Sequence, residues 1–135
     1  MLESILLRDA VRNWRAGKSD LSGLHTALET MRIAAKVDNR ATSLAADLDF
    51  HRAICLAAGN DVAATLWEAI ARHVMIIFNR SDYRDDDLDA IVQQHEAFLD
   101  FIETAIDGDM TDAEIERGLH DHLLQVSRAK HQTTG

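Results

Sequence analysis

The apolar residues of this chain recur every three to four positions through six segments, which is the period of an amphipathic helix. The predicted helices cover approximately residues 2–16, 21–35, 41–58, 61–78, 88–106 and 112–130. The pattern therefore predicts an all-α fold.

Glycine and short polar residues divide the predicted helices from one another. The pair Gly17-Lys18 breaks the first helix from the second, and Gly59 is a typical residue to terminate the third. Asp38-Asn39 separates the second helix from the third. The predicted capping residues are Ser19 or Asp20 for the second helix, Asn60 or Asp61 for the fourth, and Thr111 with Glu114, a capping-box pattern, for the sixth.

Two features of the pattern predict where the helices lie in the fold. The fourth helix is the most apolar, so we expect it to be central and buried over much of its circumference. The stretch Ser81–Asp87 is the most polar, and we expect a solvated surface loop there. On the first helix, the residues predicted to face the core are Ile5, Leu6, Ala10 and Trp14.

Composition agrees with a single helical domain over residues 1–135. Proline is absent and glycine occurs only six times, and these are the two residue types that helix interiors exclude most strongly. Hydrophobic residues make up 47% of the chain, which excludes a disordered or fibrous protein. A chain of this length buries about two-thirds of its unfolded surface.

Charge and cysteine content exclude several classes of function. The formal net charge is −9, whereas a DNA-binding module carries a basic face and a surface that binds anionic membranes is also basic. Cys55 is the only cysteine, and its apolar neighbours predict a buried, inert thiol. No signal peptide and no run of membrane-spanning length is present, so the sequence predicts a soluble, cytoplasmic protein without a membrane partner.

Candidate chemistry is concentrated in histidines on three helices. Asp47 and His51 are four residues apart and therefore share one face of the third helix. His95 on the fifth helix and His122 on the sixth lie beside predicted buried positions. Imidazole and carboxylate ligands together bind divalent metals such as Zn, Ni or Mn, and rigid helices can hold such ligands in place.

Other interpretations of these residues remain open from spacing alone. Asp47 and His51 also fit an exposed ion pair beside Arg52. A small metalloenzyme is a further alternative, but the nearby carboxylates of Asp49 and Glu96 point away from the predicted ligands, so a general base is missing. A metal-free dimerisation bundle is the third reading. The histidines assigned to the surface by default are His25, His73 and His131.

Longer motifs around the same residues resemble the FCD ligand-binding domain, the C-terminal effector module of one branch of GntR-type transcription regulators. The resemblance covers nearly the whole chain, in the right order. The matching segments are Asp47-Leu48-Asp49-Phe50-His51-Arg52-Ala53-Ile54 with Ala57-Ala58-Gly59-Asn60, then Gln94-His95-Glu96-Ala97-Phe98-Leu99-Asp100-Phe101-Ile102, and finally His122-Leu123.

The resemblance implies an antiparallel bundle of helices enclosing a central cavity. In that cavity Asp47, His51, His95 and His122 would hold a divalent metal, and a small organic acid would bind on or beside it. The connection between the fifth and sixth helices is longer than is usual in the family, which makes His120 a rival to His122. The two side chains differ by about 200° around a helix, so only one can face the cavity.

The implied function is effector sensing by a homodimeric transcription regulator. We expect the effector's anionic group to contact the metal and a basic or amide group on the fourth helix, for which Arg72, Asn79 and Arg80 are candidates; a solvated surface position is the alternative for each. DNA would be bound only through a winged-helix domain that these residues do not contain. The chain is therefore expected to be a fragment of a longer regulator or a free-standing sensor, and its start within the first helix favours a fragment.

Overall fold

A computed structural model describes the backbone of residues 2–80 and 88–133 and the side chains of residues 4–72 and 88–122. The described chain is all-α, as predicted. The six helices are α1 (Leu2–Arg15), α2 (Ser22–Lys36), α3 (Arg40–Ala58), α4 (Asp61–Arg80), α5 (Leu88–Asp107) and α6 (Asp112–Thr133). The predicted loop over residues 81–87 lies outside the described residues.

The helices pack as a bundle around α1, α3 and α5. Helix α3 lies against α1 and α2, while α5 contacts α1, α2 and α6. The core is filled by side chains that recur at helical spacing on each element and are at most 2% exposed; they include Leu6, Leu7, Leu28, Met31, Phe50, Ile102, Ile115 and Leu119. Cys55 is buried among them, as predicted.

Several helix ends follow the capping chemistry predicted from the sequence. Asn39 accepts a hydrogen bond from the Thr42 backbone at the start of α3, and Asn60 accepts one from Ala63 at the start of α4. Gly59 adopts the left-handed conformation, with φ 68°, that ends α3 without steric cost.

The start of α2 differs from the prediction. Leu21, rather than Ser19 or Asp20, occupies the cap position, and its side chain cannot accept a hydrogen bond. Asp20 still contributes, because its carboxylate accepts hydrogen bonds from both the backbone nitrogen and the hydroxyl of Ser22. The carboxylate that accepts these hydrogen bonds therefore lies one residue before the cap position. The hydrophobic periodicity of the sequence does not distinguish these two positions.

The predicted central position of α4 is wrong for the described part of that helix. Val62 is 73% exposed, and Leu66 and Ile70 are each 54% exposed, while Ala63, Trp67 and Ala71 are buried. Helix α4 therefore lies at the edge of the bundle, packed on α3 and α1 through one side. Within residues 62–71, α4 therefore carries apolar side chains that its packing on α3 and α1 leaves exposed.

A smaller correction concerns Ile5, which was expected to face the core and is 41% exposed. Its place is taken by Leu7 and Val11, each 1% exposed, so that the buried face of α1 is rotated from the predicted one. In the part of the chain that the structure describes, no helix is long and apolar enough to cross a membrane.

Arg15 fixes the connection between α5 and α6. Its guanidinium donates hydrogen bonds to the carbonyl oxygen of Ala105, at 3.0 and 2.5 Å, and to that of Met110, at 3.1 Å. One side chain at the end of α1 thus holds both the last turn of α5 and the residue shortly before α6 begins. These contacts tie the end of α1 to the connection that leads into α6.

We expect Arg15→Gln to destabilise the fold by about 1–3 kcal/mol, because carbonyl groups at the end of a helix lose charge-assisted hydrogen bonds. Arg12→Gln is the matched control, since Arg12 lies on the same helix with a 70% exposed side chain and one ion pair to Asp9 at 3.7 Å. Its effect should stay below about 0.5 kcal/mol. Urea denaturation of both variants measures the difference, and equal effects would contradict the proposed anchor.

Candidate metal centre

Helix α3 presents Asp47 and His51 on one face, one turn apart. His51 Nε2 lies 3.3 Å from Asp47 Oδ1, and the two side chains are 16% and 28% exposed. Phe50, fully buried beside them, anchors this part of α3 in the core. The spacing of four residues therefore brings the carboxylate and the imidazole together, as expected from helix geometry.

Helix α5 brings His95 to the same carboxylate. His95 is 1% exposed, and its Nδ1–H donates to the carbonyl oxygen of Ile91 at 2.8 Å. The opposite ring nitrogen, Nε2, lies 2.8 Å from Asp47 Oδ1. The Ile91 carbonyl, one turn earlier in α5, thus fixes the orientation of the ring and directs Nε2 at Asp47.

Helix α6 contributes His122 and directs His120 elsewhere. His122 is 4% exposed, whereas the side chain of His120 is exposed to solvent. The His122 ring stacks on Phe98, with ring centroids 4.3 Å apart and planes at 8°. Its Nδ1 is buried and has no hydrogen-bond partner in the structure.

The three imidazoles converge on one point. Each of His51, His95 and His122 offers a ring nitrogen within 4.8 Å of the other two. Two ligand atoms bound at ~2.1 Å to one metal lie ~3.0–3.4 Å apart in octahedral or tetrahedral geometry. The 2.8 and 3.3 Å distances from Asp47 Oδ1 to His95 and His51 are close to this range. The three imidazoles therefore lie together, and Asp47 Oδ1 lies within 3.3 Å of two of them.

The contact between Asp47 Oδ1 and His95 Nε2 requires a positive charge or a proton between the two atoms. When His95 is neutral and donates from Nδ1 to Ile91, its Nε2 carries a lone pair and faces a carboxylate oxygen, which also only accepts. Two acceptors at 2.8 Å repel each other unless a proton or a metal cation lies between them. Histidine ligands of metals commonly donate their second nitrogen to a backbone carbonyl, as His95 does.

The site lowers the pKa values of both Asp47 and His122. A lowered pKa favours the charged form of the aspartate but the neutral form of the histidine. Burial alone would raise the pKa of the Asp47 carboxyl, but the adjacent rings of His51 and His95 outweigh that effect and hold the pKa far below its usual range. Burial, reinforced by the neighbouring rings of His95 and His51, lowers the pKa of His122 to about 3, against a smaller opposing effect of Asp47. The site therefore holds an ionised carboxylate and a neutral His122 at pH 7.

Neighbouring charged residues are engaged in other contacts. Arg52 pairs with Glu68, and also with Asp49, so its guanidinium is directed away from Asp47 and His51. This arrangement does not match an exposed ion pair of Asp47 and His51 beside Arg52. Glu96 lies 3.4 Å from Arg32, which agrees with the expectation that it points away from the ligands.

Of the three residues expected to bind an effector from α4, only Arg72 has a described side chain. Arg72 is exposed to solvent. The side chains of Asn79 and Arg80 lie outside the described residues, as do those of His73 and His131. His25 is exposed and lies 3.4 Å from Glu103, which fits its default assignment to the surface.

The structure does not show the enclosed cavity expected from the family resemblance. A groove of about 370 Å³ between α5 and α6 reaches His122 and is bordered by Phe101 and Arg117. Side chains of residues 73–80 and 123–133, which complete α4 and α6, lie outside the described residues. The cavity therefore stays an expectation.

Sequence reasoning missed the residues that orient the histidines. Phe98 stacks on His122, and Trp67 stacks on His51 with ring centroids 6.3 Å apart. The backbone carbonyl of Ile91 fixes His95. The apolar character of Phe98 and Trp67 indicates burial, but which histidine each ring contacts follows only from the packing of different helices.

Comparison with known proteins identifies the family. The family model described as the FCD domain matches residues 1–123. Searches of the curated proteins and of the solved structures returned no significant match.

The metal-free protein should lose stability on acidification through His122. The pKa of His122 is about 3 in the folded chain and ~6.5 unfolded, so between these values the unfolded state binds the additional proton. The free energy of unfolding should therefore fall below pH ~6.5, by up to ~1.4 kcal/mol per pH unit. The lowered pKa of Asp47 acts in the same sense, but only as the pH falls below the ordinary aspartate range.

Chemical denaturation in the presence of a chelator at pH 7 and pH 5 measures this loss. His122→Gln, which does not titrate, should show a flatter dependence over the same interval. An unchanged pH dependence in that variant would show that His122 is not buried in the neutral form.

Proposed function

The chain belongs to the FCD family, the C-terminal domain of GntR-type regulators, and we propose that it senses a small organic acid through a divalent metal held in the bundle. FCD domains are regulatory, effector-binding modules of transcription regulators, and DNA is bound by a different domain of such proteins. The net charge of −9 agrees with a chain that does not itself bind DNA.

The observation that carries the metal proposal is the 2.8 Å contact between His95 Nε2 and Asp47 Oδ1, with His95 Nδ1 already engaged by Ile91. A divalent cation bound by both atoms would remove their repulsion. The same cation would also supply a partner for the His122 imidazole, whose Nδ1 is buried and has no hydrogen-bond partner. We therefore assign the ligands as Asp47, His51, His95 and His122, and exclude the exposed His120.

The donor set narrows the class of metal. One carboxylate and three imidazoles suit Zn, Ni or Mn, and do not suit the soft metals that select thiolates. The metal would supply an open coordination position and positive charge in a mostly buried site. With one Asp47 carboxylate and neutral imidazoles, a divalent ion leaves a net charge of about +1, which a single carboxylate group of an effector would neutralise.

Regulation requires the effector to distinguish two arrangements of the complete protein. An effector shifts an equilibrium only by the difference between its affinities for the two states. The ligands come from α3, α5 and α6, so an effector on the metal would act on three helices at once. Helix α6, which carries His122, packs on α1. A change at the metal would therefore also reach α1.

Metal content tests the proposed centre. Purified protein should contain about one divalent ion per chain, and removal by a chelator should lower the melting temperature, because a ligand present at 100 times its Kd stabilises by ~2.7 kcal/mol. His122→Ala should lose the metal, whereas the matched variant His120→Ala, two residues away and exposed, should retain it. Metal retained fully by His122→Ala, or lost equally by both, would contradict the assigned ligand set.

We further propose that the chain forms a homodimer through the exposed face of α4. Val62, Leu66 and Ile70 recur every four residues and form an apolar edge that is 54–73% exposed. Asp61 and Arg72, both exposed, lie eleven residues apart and so on one line along the opposite edge of the same face. The face thus combines an apolar edge with a charged edge whose ends differ in sign.

A two-fold axis perpendicular to α4 would pair the apolar edges of two copies and also pair their charged edges. In this antiparallel arrangement the apolar edge of one copy meets the apolar edge of the other, and Asp61 lies opposite Arg72 of the second copy, twice per dimer. A parallel arrangement would instead place the apolar edge against the charged one. The charge pattern therefore favours a second copy of this chain as the occupant of the face.

Leu66→Glu should convert the dimer to a monomer, because it places charge at the centre of the apolar edge. Ile33→Glu is the control, since Ile33 on α2 is equally exposed, at 54%, and lies outside α4. Light scattering after size exclusion measures the mass. The single reversals Asp61→Arg and Arg72→Asp should weaken association, and combining them should restore it. A wild-type monomer, or a dimer unaffected by Leu66→Glu, would refute the interface.

A further inference from the structure

Two side chains on α1 each have a buried polar atom without a hydrogen-bond partner. Ser4 is 2% exposed, and its hydroxyl oxygen has no partner; the Nε of the half-buried Arg8 is also buried and has none. The two residues are four apart, so their side chains are neighbours on one face of the helix. Neither was singled out by the sequence, because a serine and an arginine at helical spacing are common on surfaces.

This face of α1 lies at the level of the histidine cluster. Arg15 bonds to Met110, and Leu7 lines a small cavity together with His51 and Leu119, so α1 and α6 run antiparallel. Ser4 precedes Leu7 by three residues, and His122 follows Leu119 by three. Each step is ~4.5 Å along its helix in the same direction, which places Ser4 and His122 at one level of the bundle.

The chemistry of this pair is that of an anion site. A guanidinium is permanently charged and has five donors arranged to match a carboxylate, and a hydroxyl can donate to the same oxygen. Among the residues that the structure describes, no carboxylate lies within ion-pair distance of Arg8, in contrast to Arg12, Arg32 and Arg52, which each have at least one. A buried donor without an acceptor destabilises the unliganded protein, which a bound anion would reverse.

We propose that Ser4 and Arg8 bind a second anionic group of the effector, whose first carboxylate occupies the metal. This inference rests on the proposed function and extends it, because it specifies the ligand class. The preferred effector carries two carboxylates, or a carboxylate and another anionic group, on a short carbon chain. A monocarboxylate would reach the metal but leave Arg8 without an acceptor. The second anchor thus lies on α1 rather than on the exposed Arg72.

Malate and lactate are suitable probes, because both are hydroxy acids and only malate has a second carboxylate. Calorimetry on the metal-loaded dimer should give tighter binding of malate than of lactate. Arg8→Gln should weaken malate binding by about 10-fold or more, the effect of losing a charge-assisted hydrogen-bond pair, with lactate binding little changed. Arg12→Gln, which alters an exposed arginine on the same helix, should leave both affinities unchanged.

Ser4→Ala provides a second variant in case Arg8→Gln folds poorly. Because the hydroxyl has no partner in the unliganded chain, this variant should keep or raise the melting temperature while it reduces the preference for malate. A purely structural role of Ser4 would lower the melting temperature and leave the preference between the two acids intact.

Metal content measured on the same samples separates the two proposals. Full metal occupancy with no Arg8-dependent preference for malate, including failure of the wild type to prefer malate over lactate, would overturn the second anchor alone. Absence of metal from the wild type, even after incubation with Zn, Ni and Mn, would overturn the proposed centre.

Discussion

The site depends on one carboxylate held against two imidazoles. Asp47 Oδ1 lies 2.8 Å from His95 Nε2 and 3.3 Å from His51 Nε2, and so joins α3 to α5 through a polar contact within a mainly apolar core. Such a contact is costly unless its charges are balanced, because burial removes the water that would otherwise solvate them. The Ile91 carbonyl fixes the proton on the far side of His95, which leaves the near side for a cation.

The surrounding packing makes the carboxylate contact possible. Phe50 lies edge-on to His95, with centroids 5.1 Å apart, and Phe98 stacks on His122. These rings restrict the histidines to few orientations, so little further ordering would be needed for a ligand to bind. The fold therefore supplies a preorganised set of donors, and the lowered pKa of His122, about 3, keeps that ring neutral and able to act as a ligand.

Two surfaces connect this site to regulation in the proposed scheme. Helix α1 carries Ser4 and Arg8 near the level of His122, and α4 carries an exposed apolar edge away from the core. A change at the metal would reach α1 directly through an effector that bridges both. Trp67 stacks on His51 from α4, so the helix that carries the proposed dimer face also contacts one of the proposed metal ligands. Effector binding and dimer geometry would thus share residues.

The sequence by itself determined the six helices, most of their ends and the pairing of Asp47 with His51, because these follow from local periodicity, capping and the i, i+4 relation. It also proposed His95 and His122 through family motifs. Only the tertiary structure decided that His122 rather than His120 faces the cluster, since Ile115, Leu119 and His122 form the buried face of α6 and His120 is exposed. It also placed α4 at the edge of the bundle. The sequence could not predict this position, because periodicity shows which face of a helix is apolar but not whether its own chain or a partner buries that face.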